Sequence, residues 1–151
     1  PMTLCFRVAG VDLEKFEIWY MSYNGNPKSW YRVDRFLHRV PYEKTPEVYA
    51  ACDILLKTSL LESFSYPPLE MMASGGYVVA VPNGGNLEYL KDGENCILYP
   101  QGNLAEAKAA IERILTDAEL RKKLDTGAEE TVKERNWKRI EPQILEQYLG
   151  K

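Results

Sequence analysis

The sequence predicts an α/β fold: a Rossmann-like, doubly wound and mostly parallel sheet with helices on both faces. Three observations predict it. Short β-rich runs alternate with helical patterns, the order expected of repeated strand–helix units. Several of the strand runs are almost continuously apolar, as strands covered on both faces require. Helix-start signals recur between and after them.

The elements follow in chain order. "TLCFRVA" (3–9) and "RVDRFL" (32–37) read as strands. Thr45-Pro46 reads as an N-cap with proline at the first helical position, opening "PEVYAACD". "DILLKT" (53–58) is the next strand, and Pro68 to Ser74 begins a helix stopped by Gly75 or Gly76. "YVVAV" (77–81) and "CILY" (96–99) complete five strands. "NLAE" (103–106) resembles a capping box built on Asn, and "TDAE" (116–119) matches its Ser/Thr form. Each opens an amphipathic helix, with Leu104, Ala107, Ile111, Ile114 and Leu115 on one face of the first. A last helix runs from near Lys138 to Leu149. No repeat, linker or low-complexity tract divides the chain, so residues 1–151 read as one domain.

Composition narrows the function classes. Apolar residues make up 45% and charged residues 27%, an ordinary globular balance. The net charge of -3 gives no sign of a general nucleic-acid binder. No apolar run has bilayer-spanning length, and "PMTLCFRVAG" lacks the features of a signal peptide. Cys5, Cys52 and Cys96 are scattered and odd in number, as in a reducing, cytoplasmic setting. One histidine, His38, no Cys-x-x-Cys and no Asp-x-Asp leave no expected metal site and no expected cofactor.

Ligands of such folds bind outside the carboxyl ends of the strands. "AGVD" (9–12), "HRVP" (38–41), "LESFSYPPLEMMASGG" (61–76) and "PNGGN" (82–86) all follow strand runs, so they are expected at one edge. The third places Glu62 and Glu70 on either side of a loop-to-helix break. A helix start near Pro67 or Pro68 offers unpaired N–H groups and partial positive charge to a phosphate. The two prolines lack that donor, leaving Ser63, Phe64, Ser65 and Tyr66 before them, and Leu69 and Glu70 after them. Carboxylates accept hydrogen bonds from hydroxyls. A molecule with hydroxyls at both ends and phosphates between, a nucleotide sugar, fits: sugar on Glu62, ribose on Glu70. Taken alone, the pair is better explained as two of 22 acidic residues, Glu70 being a favourable charge in a first helical turn.

The longer string "SLLESFSYPPLEMMASGGYVVAVPNGGNLEYLKDGENCILYP" resembles the carboxyl-half signature of the retaining, nucleotide-sugar-dependent GT-B enzymes known as group 1 glycosyltransferases. Ser59, Glu62, Phe64, Pro67, Leu69, Glu70, Met72, Ala73, Gly75, Gly84, Gly85, Glu88, Gly93 and Asn95 fall in the family pattern in order and spacing. The resemblance implies a donor-binding domain that helps transfer a hexosyl unit from a nucleotide-diphosphate sugar with retention of configuration, in carbohydrate biosynthesis. It assigns Glu62 to the sugar, as the catalytic residue of this half, and Glu70 to the ribose. Backbone from Ser63 to Tyr66 faces the sugar and diphosphate, and Gly84 and Gly85 admit close approach. Arg39 matches a position often set against the base, a solvated surface arginine being an equal alternative. His38 receives no catalytic role.

Two departures bear on the sugar: Ser65 stands where the family has glycine, and Pro68 removes an N–H. The family's carboxyl half also opens with a strand, a loop bearing arginine and lysine, and a helix. The strand at 3–9 reads as the second of that series, so the first strand and helix are expected to be missing. Their central place, between 3–9 and 53–58, must then be closed or filled. The acceptor-binding half is likewise expected elsewhere, as the source of any membrane association, and this chain alone is expected to be inactive. Two alternatives remain: another nucleotide-sugar enzyme of this fold, such as an epimerase, and a non-catalytic nucleotide-binding or interaction module. The base, the sugar, the acceptor and the oligomeric state are not fixed by the sequence.

Overall fold

A computed structural model describes residues 3–8, by their backbone, and residues 16–150. The described elements are β1 (Thr3–Val8), β2 (Phe16–Ser22), β3 (Arg35–His38), a 3-10 turn (Tyr42–Lys44), α1 (Thr45–Ala50), β4 (Ile54–Lys57), α2 (Tyr66–Ala73), β5 (Tyr77–Ala80), β6 (Ile97–Leu98), α3 (Leu104–Thr116), α4 (Ala118–Glu134) and α5 (Trp137–Leu149). The strands form one sheet in the order β3-β2-β1-β4-β5-β6. The β2–β3, β4–β5 and β5–β6 pairs are parallel.

The centre of the sheet corrects the sequence reading. β1 pairs antiparallel with both β2 and β4. It fills the central place that was expected to be empty, and β2, which was not anticipated, takes the place assigned to residues 3–9. Reversal of β1 also moves its end. Val8 pairs with Phe16 at the start of β2, on the edge opposite the site. "AGVD" (9–12) itself lies outside the described residues. The loop after β2 supplies the fourth strand end instead.

Smaller corrections have local causes. β3 starts at Arg35, not residue 32, because Asp34 turns its carboxylate onto the Ile18 N–H at 2.8 Å and Arg32 bonds the Phe16 carbonyl at 3.0 Å. Thr45 lies inside α1; Lys44, ending the 3-10 turn, is its N-cap. Asp117, not Thr116, caps α4 by accepting from the Leu120 N–H at 2.9 Å, while the Thr116 hydroxyl bonds back to the Glu112 carbonyl. Asn103 caps α3 as predicted, accepting from the Glu106 N–H at 3.1 Å. α2 starts two residues before Pro68 and is followed by Gly75 at φ 81°.

Alternate residues of the strands feed two cores, one on each face. Leu55 and Val78 join Trp19, Met21, Tyr49 and Met71 on one face. Ile54 and Val79 join Ile97, Ile114 and Leu124 on the other. These cores hold the carboxyl ends of β2, β4 and β5 fixed beneath the loops that form the site.

Candidate functional site

β4 is an apolar strand that ends in a charge. Ile54, Leu55 and Leu56 are followed by Lys57, which is fully buried. Its Nζ lies 2.8 Å from Glu62 Oε1, and the Glu62 side chain is 16% exposed. The contact is an ion pair; neither atom makes a well-aligned hydrogen bond among the described residues. Burial works to raise the Glu62 carboxyl. The adjacent Lys57 ammonium and a hydrogen bond from Ser59 outweigh it and hold the group below the usual glutamate range.

The glycine-containing loop after β5 clamps this segment. Asn83 Nδ2 donates to the Ser59 carbonyl at 3.0 Å. Asn83 Oδ1 accepts from the Gly85 and Asn86 N–H groups, both at 3.1 Å, and Asn86 Nδ2 donates to the Val81 carbonyl at 2.9 Å. Gly85 packs directly on the Glu62–Ser63 peptide, whereas a β-carbon on Gly84 would meet nothing within 4 Å. Of the two glycines, Gly85 is thus needed for the loop's own closure, and Gly84 leaves open space.

α2 begins from a strained turn. Ser65 has φ 67° and ψ 69°, the left-handed region, and is 4% exposed with an unpartnered Oγ. Its carbonyl accepts from the Tyr89 hydroxyl, a phenol whose pKa burial pushes up. The N–H groups of Ser63, Phe64, Ser65 and Tyr66, ahead of the helical bonds of α2, have no acceptor among the described residues. The Phe64 ring lies 5.0 Å from that of Tyr66 and 5.1 Å from that of Tyr89, and both Phe64 and Leu69 pack on the core. Phe64 offers a ligand its backbone, not its side chain.

Glu70 sits one turn into α2. Burial raises its carboxyl above the usual glutamate range, partly countered by a hydrogen bond with Tyr49. It borders a cavity of about 360 Å³ lined also by Ser22, Tyr23, Tyr42, Tyr49 and Tyr66. A neighbouring hollow of about 290 Å³ shares Glu70, Tyr42 and Tyr49. The size and the mixture of aromatic and polar lining suit a nucleoside.

Arg39 is exposed, with φ 51°. Its N–H donates to the Ser22 carbonyl at 3.0 Å and its Nε reaches the Tyr23 carbonyl at 3.4 Å. It shapes the cavity wall through those two residues and does not line the cavity itself. His38 is exposed and stacks on Phe36, apart from the cavity lining. Two further pattern residues are structural. Asn95 Nδ2 bonds the Tyr89 carbonyl and Thr131 Oγ1, each at 2.8 Å, and Glu88 pairs with Arg135 of the segment after α4. Sequence reasoning missed Lys57, although a lysine closing an apolar strand run was visible in "DILLK".

Comparison with known proteins identifies the family. The model of the family "Glycosyl transferases group 1" matches residues 34–131. The O-antigen biosynthesis protein RfbC of Myxococcus xanthus is 35% identical over 117 residues, covering 76% of this chain and 9% of that protein. The D-inositol 3-phosphate glycosyltransferase of Geodermatophilus obscurus is 33% identical over 116 residues, covering 77% of this chain and 25% of that protein. Anabaena HepE, solved with UDP-glucose, superposes with a TM-score of 0.69 at 28% identity, covering 78% of this chain and 32% of that one. The chain spans a third or less of the length of each of these relatives. The family match over most of the chain and the structural match together show that the chain belongs to the group 1 glycosyl transferases, with the Rossmann-like fold of GT-B enzymes.

Proposed function

We propose that the chain is the donor-binding part of a glycosyltransferase that moves a hexosyl unit from a nucleotide-diphosphate sugar to an acceptor with retention of configuration. One observation carries the reading. Glu62 and Glu70 are held on either side of the start of α2, and the N–H groups of Ser63 to Tyr66 between them have no acceptor among the described residues. In this reading Glu70 takes the ribose hydroxyls in the 360 Å³ cavity, and Glu62 takes hydroxyls of the sugar. The open N–H groups and the helix start take up charge on the departing diphosphate. The acceptor is bound by polypeptide other than these residues, so this chain alone binds donor without transferring it. Its place is the cytoplasm, where Cys52 and Cys96, both buried free thiols, stay reduced.

HepE was solved with UDP-glucose, which makes UDP-glucose the first donor to try. Calorimetric titration of this chain with UDP, guanosine diphosphate and UDP-glucose tests the reading. Binding of UDP or guanosine diphosphate is expected, weakened about tenfold or more by Glu70→Ala, as loss of a charge-assisted hydrogen bond implies. Tight binding indifferent to Glu70→Ala, or no heat with any of the three, would refute it.

A further inference from the structure

We infer that Lys57 is a positioning residue for the donor sugar: its buried ammonium turns one oxygen of Glu62 inward and leaves the other to receive a sugar hydroxyl. The inference rests on the reading of Glu62 as the group that holds the sugar. It begins from a residue that the fold does not need. Ile54, Leu55 and Leu56 make β4 apolar, and one more aliphatic side chain would complete it. A buried ion pair is often no more stabilising than an apolar pair of the same volume. Lys57 has no exposed surface, three N–H donors, and Glu62 as its one charged partner among the described residues. Such an arrangement is costly unless the orientation it imposes is used.

The orientation is specific. Glu62 Oε1 is fully buried against Nζ at 2.8 Å, so Oε2, beside the Ser59 hydroxyl, is the oxygen with acceptor capacity left for a ligand. The backbone beneath is fixed from the other side by the Asn83 bond to Ser59 and by the contact of Gly85 with the Glu62–Ser63 peptide. Backbone and carboxylate are thereby both set before the sugar arrives. A preset acceptor spends less free energy on ordering when the ligand binds. The charge of Lys57 also keeps the carboxylate an acceptor as the bound sugar displaces water from it.

The test compares two ligands on the same chain. Lys57→Met should lower the ratio of UDP-glucose affinity to UDP affinity about tenfold, the scale of one hydrogen bond to a charged group, while UDP affinity alone stays within about twofold. In a Glu62→Ala background, Lys57→Met should leave that ratio within about twofold, because the lysine acts through the glutamate. An unchanged ratio in Lys57→Met overturns the inference. Equal weakening of UDP and UDP-glucose also overturns it, since that marks a role in the fold alone. Should Lys57→Met fail to fold, Lys57→Met with Glu62→Gln is compared with Glu62→Gln alone: a further loss of the ratio with UDP binding intact supports the inference, and an equal ratio refutes it. UDP binding by the unmodified chain checks the nucleotide reading separately, because Lys57 is not part of that cavity.

Discussion

Gly85 packs against the backbone of Glu62 with no room for a side chain. A β-carbon at residue 85 would run into the Glu62 carbonyl oxygen and lie 2.8 Å from the carbonyl carbons of both Glu62 and Ser63. Two strand-end loops, distant in sequence, are thus seated on each other at the carboxylate proposed to hold the sugar. Gly85→Ala is expected to cost about 1–3 kcal/mol of stability, as overpacking of a tight contact does. It should also lower UDP-glucose affinity more than UDP affinity, because the displaced peptide carries Glu62. Urea unfolding and calorimetry on the same variant check both parts.

Ser65 gives the opposite expectation. A non-glycine residue in the left-handed region is strained by about 1–2 kcal/mol, and this one also buries an unpartnered hydroxyl. Glycine relieves both, against about 0.5–1 kcal/mol of added chain entropy in the unfolded state. Ser65→Gly should therefore leave the chain as stable or up to about 1 kcal/mol more stable. A clear loss of stability in urea unfolding would show that the hydroxyl is anchored in solution.

Glu62 and Glu70 should respond to pH with opposite signs. The Glu70 carboxyl is raised, chiefly by burial, so its contribution is fully present below the ordinary glutamate range and is lost as pH rises through the raised value. Glu70→Gln should thus gain stability relative to the parent chain on going from pH 4 to pH 7. The Glu62 carboxyl is lowered, because Lys57 and Ser59 outweigh its burial, so its contribution is present above the ordinary range and lost as pH falls through the lowered value. Glu62→Gln should be relatively worse at pH 7 than at pH 3. Denaturant unfolding across this range measures both, and parallel curves would contradict the assignment.

Transfer by an enzyme containing this chain together with its acceptor-binding part is expected to persist in chelator. In the proposed reaction, backbone N–H groups at the start of α2 take the charge of the departing diphosphate, and the sequence has no Asp-x-Asp pair. Loss of activity in chelator, restored by manganese or magnesium, would assign that work to a metal.

What the sequence revealed depended on the kind of signal. Pro67, Pro68 and Gly75 bracket α2 because proline and glycine have fixed backbone preferences, and these were readable in advance. Glu62 and Glu70 stood out by their spacing around that break, but only the longer motif that holds them set them apart from the other acidic residues. The direction of β1 was not, since a run of apolar residues carries no mark of which way its strand points. β2, "FEIWYMS", was not among the predicted strands, although its aromatic and β-branched residues favour one. Lys57 was hidden in the strand itself: its pairing with Glu62 arises from the loop that folds back over it, and no periodicity encodes that return.

The reversed strand at the centre of the sheet has an architectural effect on the site. β3 and β2 form one panel and β4, β5 and β6 another, and β1 is the hinge-pin that joins them. The cavity beside Glu70 takes Ser22 and Tyr23 from the first panel and Tyr66 and Glu70 from the second. Its aperture is therefore gauged by how β1 seats the two panels against each other. A change in the tilt or register of β1 would resize the cavity like a jaw, moving one wall against the other while each wall kept its own structure.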